Sequence, residues 1–370
     1  MAKLFNRERS LIRMDWLAFL ATSLLIATGI VFITSAGYGD STIPLMQRQW
    51  FRQTLFVLLG IPLYFVMSFI DYRWFKDLSG LVYAGCVVLL GGVLIFGKEI
   101  NNARSWYDLG FVDFQPAEVA KIGLVITLAA YLGDPLRNTR HPRIILLPLA
   151  LTGLVFLLIL QQPDFGTAMI LPCIVMALMF VAGLSWRMIG LLMLIGLMTL
   201  PLAWGLAKDY QKERVLVFLN PDRDPLGASW NRRQSEMAVG SGGLTGKGIG
   251  QGTMNILGFL PTTVAPTDFI FSVIAEEKGF LGSATVLGLY SLLFGCLART
   301  AVRASDMFGR LIAVGILTML AVHVTINVAM TIGLMPIVGL PLPLISYGGS
   351  FVVSMMLALG LVQSVHVRRN

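Results

Sequence analysis

Long apolar stretches dominate this chain of 370 residues and constrain its fold more than any other feature. A helix crosses the hydrocarbon core of a bilayer with about 20 predominantly apolar residues. In hydrocarbon the backbone polar groups must bond within the segment, which selects the helix for such stretches. Ten stretches qualify: 16–36, 54–70, 79–97, 114–132, 144–160, 167–183, 188–207, 279–298, 311–335 and 344–367. The sequence therefore predicts an all-α integral membrane protein with about ten transmembrane helices, folded as a single domain over 1–370.

The composition excludes an ordinary soluble domain, because 56% of the residues are hydrophobic and only 13% are charged. Soluble globular proteins carry about 25% charged residues. The net charge of +8 would suit nucleic-acid binding, but its distribution has a simpler explanation. Most basic residues outside the longest loop lie on the side of the termini, whereas the short loops opposite hold only Arg48, Arg52, Lys98 and Arg104. The positive-inside rule then predicts that both termini are cytoplasmic.

Residues 208–278 form one long connection between predicted helices seven and eight, on the outer face. Loops of this length without internal structure are uncommon and are usually functional or disordered. Because the loop contains Trp230 and the apolar patch VLVFL, we expect it to be ordered, with short helices near the membrane surface. The working face of the protein is then extracytoplasmic.

The glycine-rich stretch GSGGLTGKGIGQG at 240–252 invites comparison with a nucleotide-binding loop. A P-loop needs Gly five residues before Gly246 and Ser or Thr after the Lys, but the chain has Ser241 and Gly248 there. We therefore predict no nucleotide cofactor. The stretch can still present backbone N–H groups and Lys247 to an anion such as pyrophosphate.

Ionisable groups inside spanning segments are costly and are functional candidates. Gln115, Glu118 and Lys121 lie on one side of the fourth predicted helix, where Glu118 and Lys121 can pair. Two interpretations stay open for them: a structural ion pair between helices, or a polar cavity that opens to the outer face. His323 and Asn327 share one face of the ninth predicted helix, and interhelical hydrogen bonds explain them more simply than a ligand site does.

Two aspartates lie at the ends of predicted spans. Asp164, in QQPDFGTA, occupies a short outer turn and reads as a turn or helix-cap residue. Asp268, in TDFIFSVIAEE, stands between the long polar loop and an apolar run, where partial burial can raise the pKa of a carboxyl group. The alternative for Asp268 is a helix N-cap for 269–278.

Several motifs occur together and in order: NARSWYDLGFVDFQPAEVAK (102–121), QPDFGTA (162–168), DYQKERV (209–215), QSEMAVGSGGLTGKG (234–248), TDFIFSVIAEEKG (267–279) and NVAMTIGLMPIVGLPLPLISYGGS (327–350). They cover nearly the whole chain and resemble the SEDS family of shape, elongation, division and sporulation proteins, its elongation members more than its division members. The resemblance implies a ten-helix fold in the bacterial cytoplasmic membrane and peptidoglycan glycosyltransferase activity on lipid II. It also implies two partners, a class B penicillin-binding protein that acts as transpeptidase and the elongation machinery.

In this family the aspartate of the TDFIF motif is the proposed catalytic carboxylate, which here is Asp268. Glu118 and Lys121 correspond to a charged pair that lines a central cavity. The predicted substrate-binding residues are Arg104, Trp106, Gln115, Glu118, Lys121, Asp164, Gln211, Arg214, Gln234, Ser235, Lys247 and Ser346. Two positions depart from the family pattern: Ser105 replaces a second Arg before the Trp, and Pro266 replaces the His or Arg that usually precedes TDFIF.

The expected chemistry makes Asp268 the general base toward the 4-hydroxyl of the acceptor N-acetylglucosamine, with inversion at C1 of the donor muramyl sugar. Cations would neutralise the leaving pyrophosphate. The candidate cations are Arg104, Lys121, Arg214 and Lys247. A divalent cation, Mg²⁺ or Mn²⁺, is a candidate cofactor that Glu118 and Asp268 could hold. In that case Asp268 would bind metal instead of taking a proton.

Two other functions stay open, a lipid II flippase and a non-catalytic scaffold for the penicillin-binding protein. A flippase must expose a polar path to the cytoplasm. The polar candidates, however, all map to the outer half of the membrane; they are Arg104, Glu118, Asp164, Arg214 and Asp268. From the resemblance we expect the transmembrane helix of the partner near predicted helices eight and nine.

Overall fold

The computed structural model describes residues 12–37, 44–100, 103–110, 113–136, 142–223, 229–261 and 263–369. Helices account for most of these residues. They are α1 (Trp16–Ala36), α2 (Gln49–Phe69), α3 (Trp74–Asp77), α4 (Ser79–Phe96), α5 (Pro116–Leu132), α6 (Leu146–Gln161), α7 (Phe165–Val181), α8 (Trp186–Leu206), α9 (Asp209–Leu219), α10 (Trp230–Ser241), α11 (Thr253–Ile256), α12 (Ile270–Arg303), α13 (Met307–Thr331) and α14 (Gly349–Val367).

Seven helices of the described residues are long and apolar enough to cross a membrane, which confirms the predicted membrane character. They are α1, α2, α4, α6 with the turn before it, α12, α13 and α14. The other three predicted spans, 114–132, 167–183 and 188–207, coincide with α5, α7 and α8. Among these, α7 and the first part of α8 are apolar but shorter. The total of ten crossing helices stays a prediction.

The all-α prediction is wrong between α4 and α5, where three short strands form an antiparallel sheet. The strands are β1 (Lys98–Ile100), β2 (Ala103–Asp108) and β3 (Asp113–Phe114), in that order across the sheet. Glu99 pairs with Arg104, and Tyr107 pairs with Phe114. Such local pairing needs only tight connections, and strands of two to six residues leave almost no alternation of polar and apolar residues in the sequence.

The long connection 208–278 contains α9, α10 and α11, and its last residues already belong to α12. That helix begins at Ile270, whereas the eighth span was predicted to begin at 279. Gly279 has φ 63° and ψ −158°, so the helical geometry breaks there. A side chain at this position would meet backbone atoms of Leu244 and Gly246 within 2.7 Å. The predicted boundary therefore marks a kink that requires glycine.

The core of the protein is built around α14, which is the most buried of the seven spans. It packs along α2, and the close approach depends on Gly360, where a Cβ would lie 2.5 Å from the carbonyl oxygen of Tyr64. Small residues allow helices to approach in this way inside a membrane. Helices α5 and α13 pack beside α14 and are buried over most of their length. Residues of α2, α5 and α14 line one large polar cavity.

A central polar cavity as candidate active site

A cavity of about 960 Å³ lies where the sheet, the start of α5, the α9 segment and the loop before α14 meet. Its wall includes six residues that the sequence singled out: Trp106, Gln115, Glu118, Asp164, Arg214 and Asp268. Residues from distant parts of the chain are thus collected around one space. A pocket of this size can hold a small-molecule ligand with several polar contacts.

Asp268 lies two residues before α12, half-buried in the cavity wall. Its carboxylate accepts no hydrogen bond from the described residues, and α12 begins after Phe269 without a side-chain cap. The N-cap alternative is therefore not observed. The main chain of this segment is held firmly, because Asn327 Nδ2 donates to the Asp268 carbonyl at 2.9 Å and Tyr347 N donates to the Pro266 carbonyl at 2.8 Å.

The environment of Asp268 favours a neutral carboxyl group more than water does. Burial raises its pKa to about 6. The positive charge of Arg214 opposes this shift and the negative charge of Asp164 adds to it. A carboxyl with a pKa near neutrality is still largely ionised at physiological pH and takes up a proton more readily than an ordinary aspartate.

Glu118 and Lys121 satisfy both interpretations left open by the sequence. The Nζ of Lys121 lies 3.0 Å from each carboxylate oxygen of Glu118, and both side chains are buried. Glu118 lines the cavity, whereas Lys121 stands behind it and contacts Nε2 of His323 at 2.9 Å. The pair is thus a buried ion pair whose acidic member reaches the cavity.

Asp164 caps α7, as the turn-or-cap interpretation predicted. Its Oδ1 accepts from the backbone N of Thr167 at 3.0 Å, and its Oδ2 accepts from Nε2 of Gln115 at 3.0 Å. The aspartate therefore links the N-termini of α5 and α7 at the cavity wall. Both of its oxygens are engaged.

The two positions that depart from the family pattern, Ser105 and Pro266, have defined contacts, and the Pro266 carbonyl accepts from Tyr347 N. Ser105 is buried, lines the cavity and donates to the carbonyl of Gln162 at 2.9 Å. Arg104, its neighbour in β2, is exposed and pairs with Glu99 at 3.3 Å. Arg104 does not line the cavity.

Other predicted binding residues lie outside the cavity wall: Gln211, Gln234, Ser235, Lys247 and Ser346, together with Lys121 and Arg104. Several of them hold the surrounding structure. Ser235 Oγ donates to the carbonyl of Thr331 at 2.8 Å, and Gln211 accepts from the backbone N of Lys208 at 3.0 Å. Ser346 Oγ accepts from the backbone N of Leu342, whereas Gln234 is simply buried.

Lys247 is occupied by a buried carboxylate. Its Nζ lies 2.7 Å from Oε1 of Glu276, which also accepts from Thr253 and from the backbone N of Met254. Glu277 accepts from Ser35 Oγ at 2.5 Å. The glycine-rich loop is thereby fastened to the first turns of α12.

The cavity also contains charged and polar residues that the sequence did not single out as binding residues: Arg52, Asp113, Gln162, Lys208, Tyr347 and Ser350. Arg52 was counted only as an orientation signal, since a basic residue at a span end is common. With Arg214, the side chains of Arg52 and Lys208 bring three cations to a cavity that also holds carboxylates. Such a set suits a ligand that carries phosphate groups.

In the part of the chain that the structure describes, no group of three or more His, Cys, Asp and Glu side chains could hold a metal ion. Mg²⁺ often needs only one or two protein carboxylates when substrate phosphates complete its coordination. Asp268, whose oxygens accept no described hydrogen bond, fits that role better than Asp164. A substrate-dependent metal therefore fits these residues, whereas a preformed protein metal centre does not.

The fold and the cavity define a polytopic membrane protein with one large cavity lined by charged and polar residues. A family model described as "Cell cycle protein", which spans FtsW, RodA and SpoVE, matches residues 15–370. The chain belongs to this family, which confirms the resemblance inferred from its motifs.

Curated relatives agree with this membership. The chain is 38% identical to peptidoglycan glycosyltransferase MrdB of Escherichia coli K12 over 94% of its own length and 92% of that protein. It is 37% identical to stage V sporulation protein E of Bacillus subtilis, over 95% and 96% of the two chains.

Solved structures show the same fold. One, described as a peptidoglycan synthase complex that coordinates polymerization and crosslinking, matches with a TM-score of 0.79 at 36% identity, over 95% of this chain and 97% of that one. The rod shape determining protein RodA of Thermus thermophilus matches with a TM-score of 0.71 at 34% identity, over 96% and 97%.

Proposed function

We propose that this protein is a peptidoglycan glycosyltransferase that polymerises lipid II into glycan strands at the outer face of the cytoplasmic membrane during cell elongation and shape maintenance. Its curated relatives named peptidoglycan glycosyltransferase support the activity. The structural observation that carries the proposal is the Asp268 carboxylate, which faces a 960 Å³ cavity without a hydrogen bond from the described residues. A general base must have such a free lone pair to accept the substrate proton.

Asp268 would take the proton from the 4-hydroxyl of the acceptor sugar as that oxygen attacks C1 of the donor. Attack opposite the leaving group inverts the anomeric centre. The leaving pyrophosphate would develop charge next to Arg52, Lys208 and Arg214, which share the cavity with Asp268. Cations that are fixed before the reaction stabilise that charge without reorganisation.

A bound Mg²⁺ or Mn²⁺ would polarise the pyrophosphate as a Lewis acid. Asp268 and Glu118 are the carboxylates on the cavity wall that would contact it. Where Asp268 serves as a metal ligand, another group must take the proton, so the two roles are alternatives for this residue. Full activity in the presence of a chelator would exclude the role as metal ligand.

The membrane arrangement belongs to the same proposal. Ten crossing helices with both termini in the cytoplasm would place the loop 208–278 and the cavity on the outer side. Lipid tails could then stay in the bilayer while the sugars meet in the cavity. The solved complex that joins polymerization and crosslinking supports a class B penicillin-binding protein as partner. We expect its transmembrane helix near α12 and α13.

A flippase is the second candidate, but the charged cavity residues favour catalysis. Asp268 and Asp164 lie at helix ends, and Arg214 lies in the α9 segment outside the seven spans. A flippase path would need comparable polar groups through the other half of the membrane. A pure scaffold, in turn, gives no reason for a carboxylate with a raised pKa inside a cavity.

The decisive experiment measures glycan polymerisation from purified lipid II with and without the transpeptidase partner. Asp268→Asn removes the base at nearly constant volume and should abolish polymerisation. Glu213→Gln is the matched control, because it removes a partly exposed carboxylate of the same loop that pairs with Arg223 at 3.3 Å and does not line the cavity. Normal polymer from Asp268→Asn would refute the catalytic role.

A further inference from the structure

His323 is fully buried in α13, and the proposed reaction does not use it. Its Nε2 lies 2.9 Å from the Nζ of Lys121, which also donates to Oε1 of Glu118 at 3.0 Å. An ammonium group carries three donors and no lone pair. Nε2 must therefore be the acceptor, which leaves the imidazole neutral with its proton on Nδ1.

The groups around the ring agree with this tautomer. The carbonyl of Pro341 lies near the ring, and Nδ1 has no hydrogen-bond partner among the described residues. Phe351 covers both partners, since its ring centroid lies 5.3 Å from that of His323 and 5.8 Å from Nζ of Lys121. Pro341 and Phe351 also line the cavity. A proton on Nε2 would place an N–H donor against the N–H donors of the Lys121 ammonium, with no acceptor between them.

The next turn of α13 contacts the other half of the site. Nδ2 of Asn327 donates to the carbonyl of Asp268 at 2.9 Å and to that of Leu340 at 2.7 Å. Residues four apart share one helix face. One face of α13 therefore supports Glu118 through Lys121 and supports the Asp268 backbone directly.

We propose that His323 is a positioning residue: as the neutral, Nδ1-protonated tautomer it accepts a hydrogen bond from Lys121 and thereby fixes the Glu118 carboxylate in the cavity wall. The inference rests on the proposed function, because it assigns Glu118 a role in the same cavity. Without the acceptor, one donor of a buried ammonium would be unsatisfied, which is costly away from water. The ammonium would then shift, and Glu118 would move with it.

The tautomer can be measured without any activity. The chain has three histidines, so ¹⁵N-histidine labelling gives few ring signals, and the signals lost in His323→Gln belong to His323. We expect a protonated Nδ1 and a bare Nε2 in the intact protein. Lys121→Met, which removes the donor, should change that ring spectrum. An Nε2–H tautomer, an imidazolium, or a ring unaffected by Lys121→Met would overturn the proposal.

Activity tests the consequence with a matched pair of variants. His323→Gln can put a carbonyl oxygen near the position of Nε2, whereas His323→Asn is polar but too short to reach Lys121. With melting temperatures in detergent matched, we expect His323→Gln to keep most activity. His323→Asn should lose turnover on the order of 10- to 100-fold, the scale of a 1 Å misplacement, at little change in KM. Equal activities of the two variants would overturn the positioning role.

A wild-type protein that fails to polymerise lipid II would instead refute the proposed function. The ring spectrum would still decide whether His323 holds Lys121.

Discussion

Replacing Asp268 by Asn should stabilise the folded protein while it abolishes polymerisation. Burial raises the pKa of Asp268 from the ordinary 3.8 to about 6, so the fold disfavours the ionised form. One pKa unit corresponds to about 1.4 kcal/mol, which sets an upper limit of about 3 kcal/mol for the destabilisation by the charge. The half-buried side chain retains some contact with solvent, which lowers the actual value.

The sign of this effect gives a pH signature. Well below the unfolded pKa of 3.8 the carboxyl is protonated in the folded and unfolded states alike, and the charge costs nothing. As pH rises from there through the folded pKa of about 6, the wild type loses stability, because the unfolded chain releases its proton more easily. The amide of Asp268→Asn does not titrate, so its stability advantage should grow between pH 4 and pH 7 and then stay constant.

Thermal unfolding in detergent at several pH values measures this advantage, and lipid II polymerisation measures the loss of function in the same preparations. Glu213→Gln should leave both nearly unchanged, since exposed substitutions usually change stability by less than about 0.5 kcal/mol. Equal melting temperatures of wild type and Asp268→Asn at every pH would refute the burial argument. A polymerising Asp268→Asn would refute the assignment of the base.

Three further outcomes follow from the same structure. Arg214→Gln removes the charge that lowers the pKa of Asp268, so the acid limb of the rate against pH should move to higher pH. An unmoved limb would show that Arg214 does not control the pKa of the base. Gly279→Ala should destabilise by about 1–3 kcal/mol through its left-handed backbone, whereas Gly288→Ala, in open space on the same helix, should not; equal melting temperatures would contradict the kink requirement. If a metal ion stabilises the leaving pyrophosphate, a chelator should lower turnover and Mg²⁺ or Mn²⁺ should restore it. Full activity without metal would exclude the metal-ligand role of Asp268 and leave its role as general base.

Hydropathy predicted the membrane class and most helix positions, because a span must be about 20 residues long and must satisfy its backbone hydrogen bonds within the helix. The motif around Asp268 likewise predicted a carboxylate just before a long apolar helix, and α12 begins two residues after it at Ile270. The sheet escaped prediction because its strands are too short to show a period. Arg52 and Lys208 were not predicted as cavity residues, because basic residues at the ends of spans are equally explained by membrane topology.

Contacts between residues far apart in the chain could not be predicted from the sequence. His323 and Lys121 are 202 positions apart, and only the packing of α5 against α13 brings their nitrogen atoms together. A lone histidine on an apolar helix therefore looked structural. The kink at Gly279 was hidden in the same way, since its cause lies in the backbone of Leu244 and Gly246.

That kink divides α12 into two rods with separate attachments. The short rod, 270–278, is clamped to the glycine-rich loop, because Glu276 binds Lys247 and the backbone N of Gly248 bonds the carbonyl of Glu277. The long rod, 280–303, belongs to a helix that is long and apolar enough to span a membrane, and this helix packs on α1 and α13. Because the helical geometry breaks at Gly279, the short rod does not have to continue the direction of the long rod. The segment that carries Asp268 is therefore oriented by its contacts with the glycine-rich loop, not by continuation of the spanning helix.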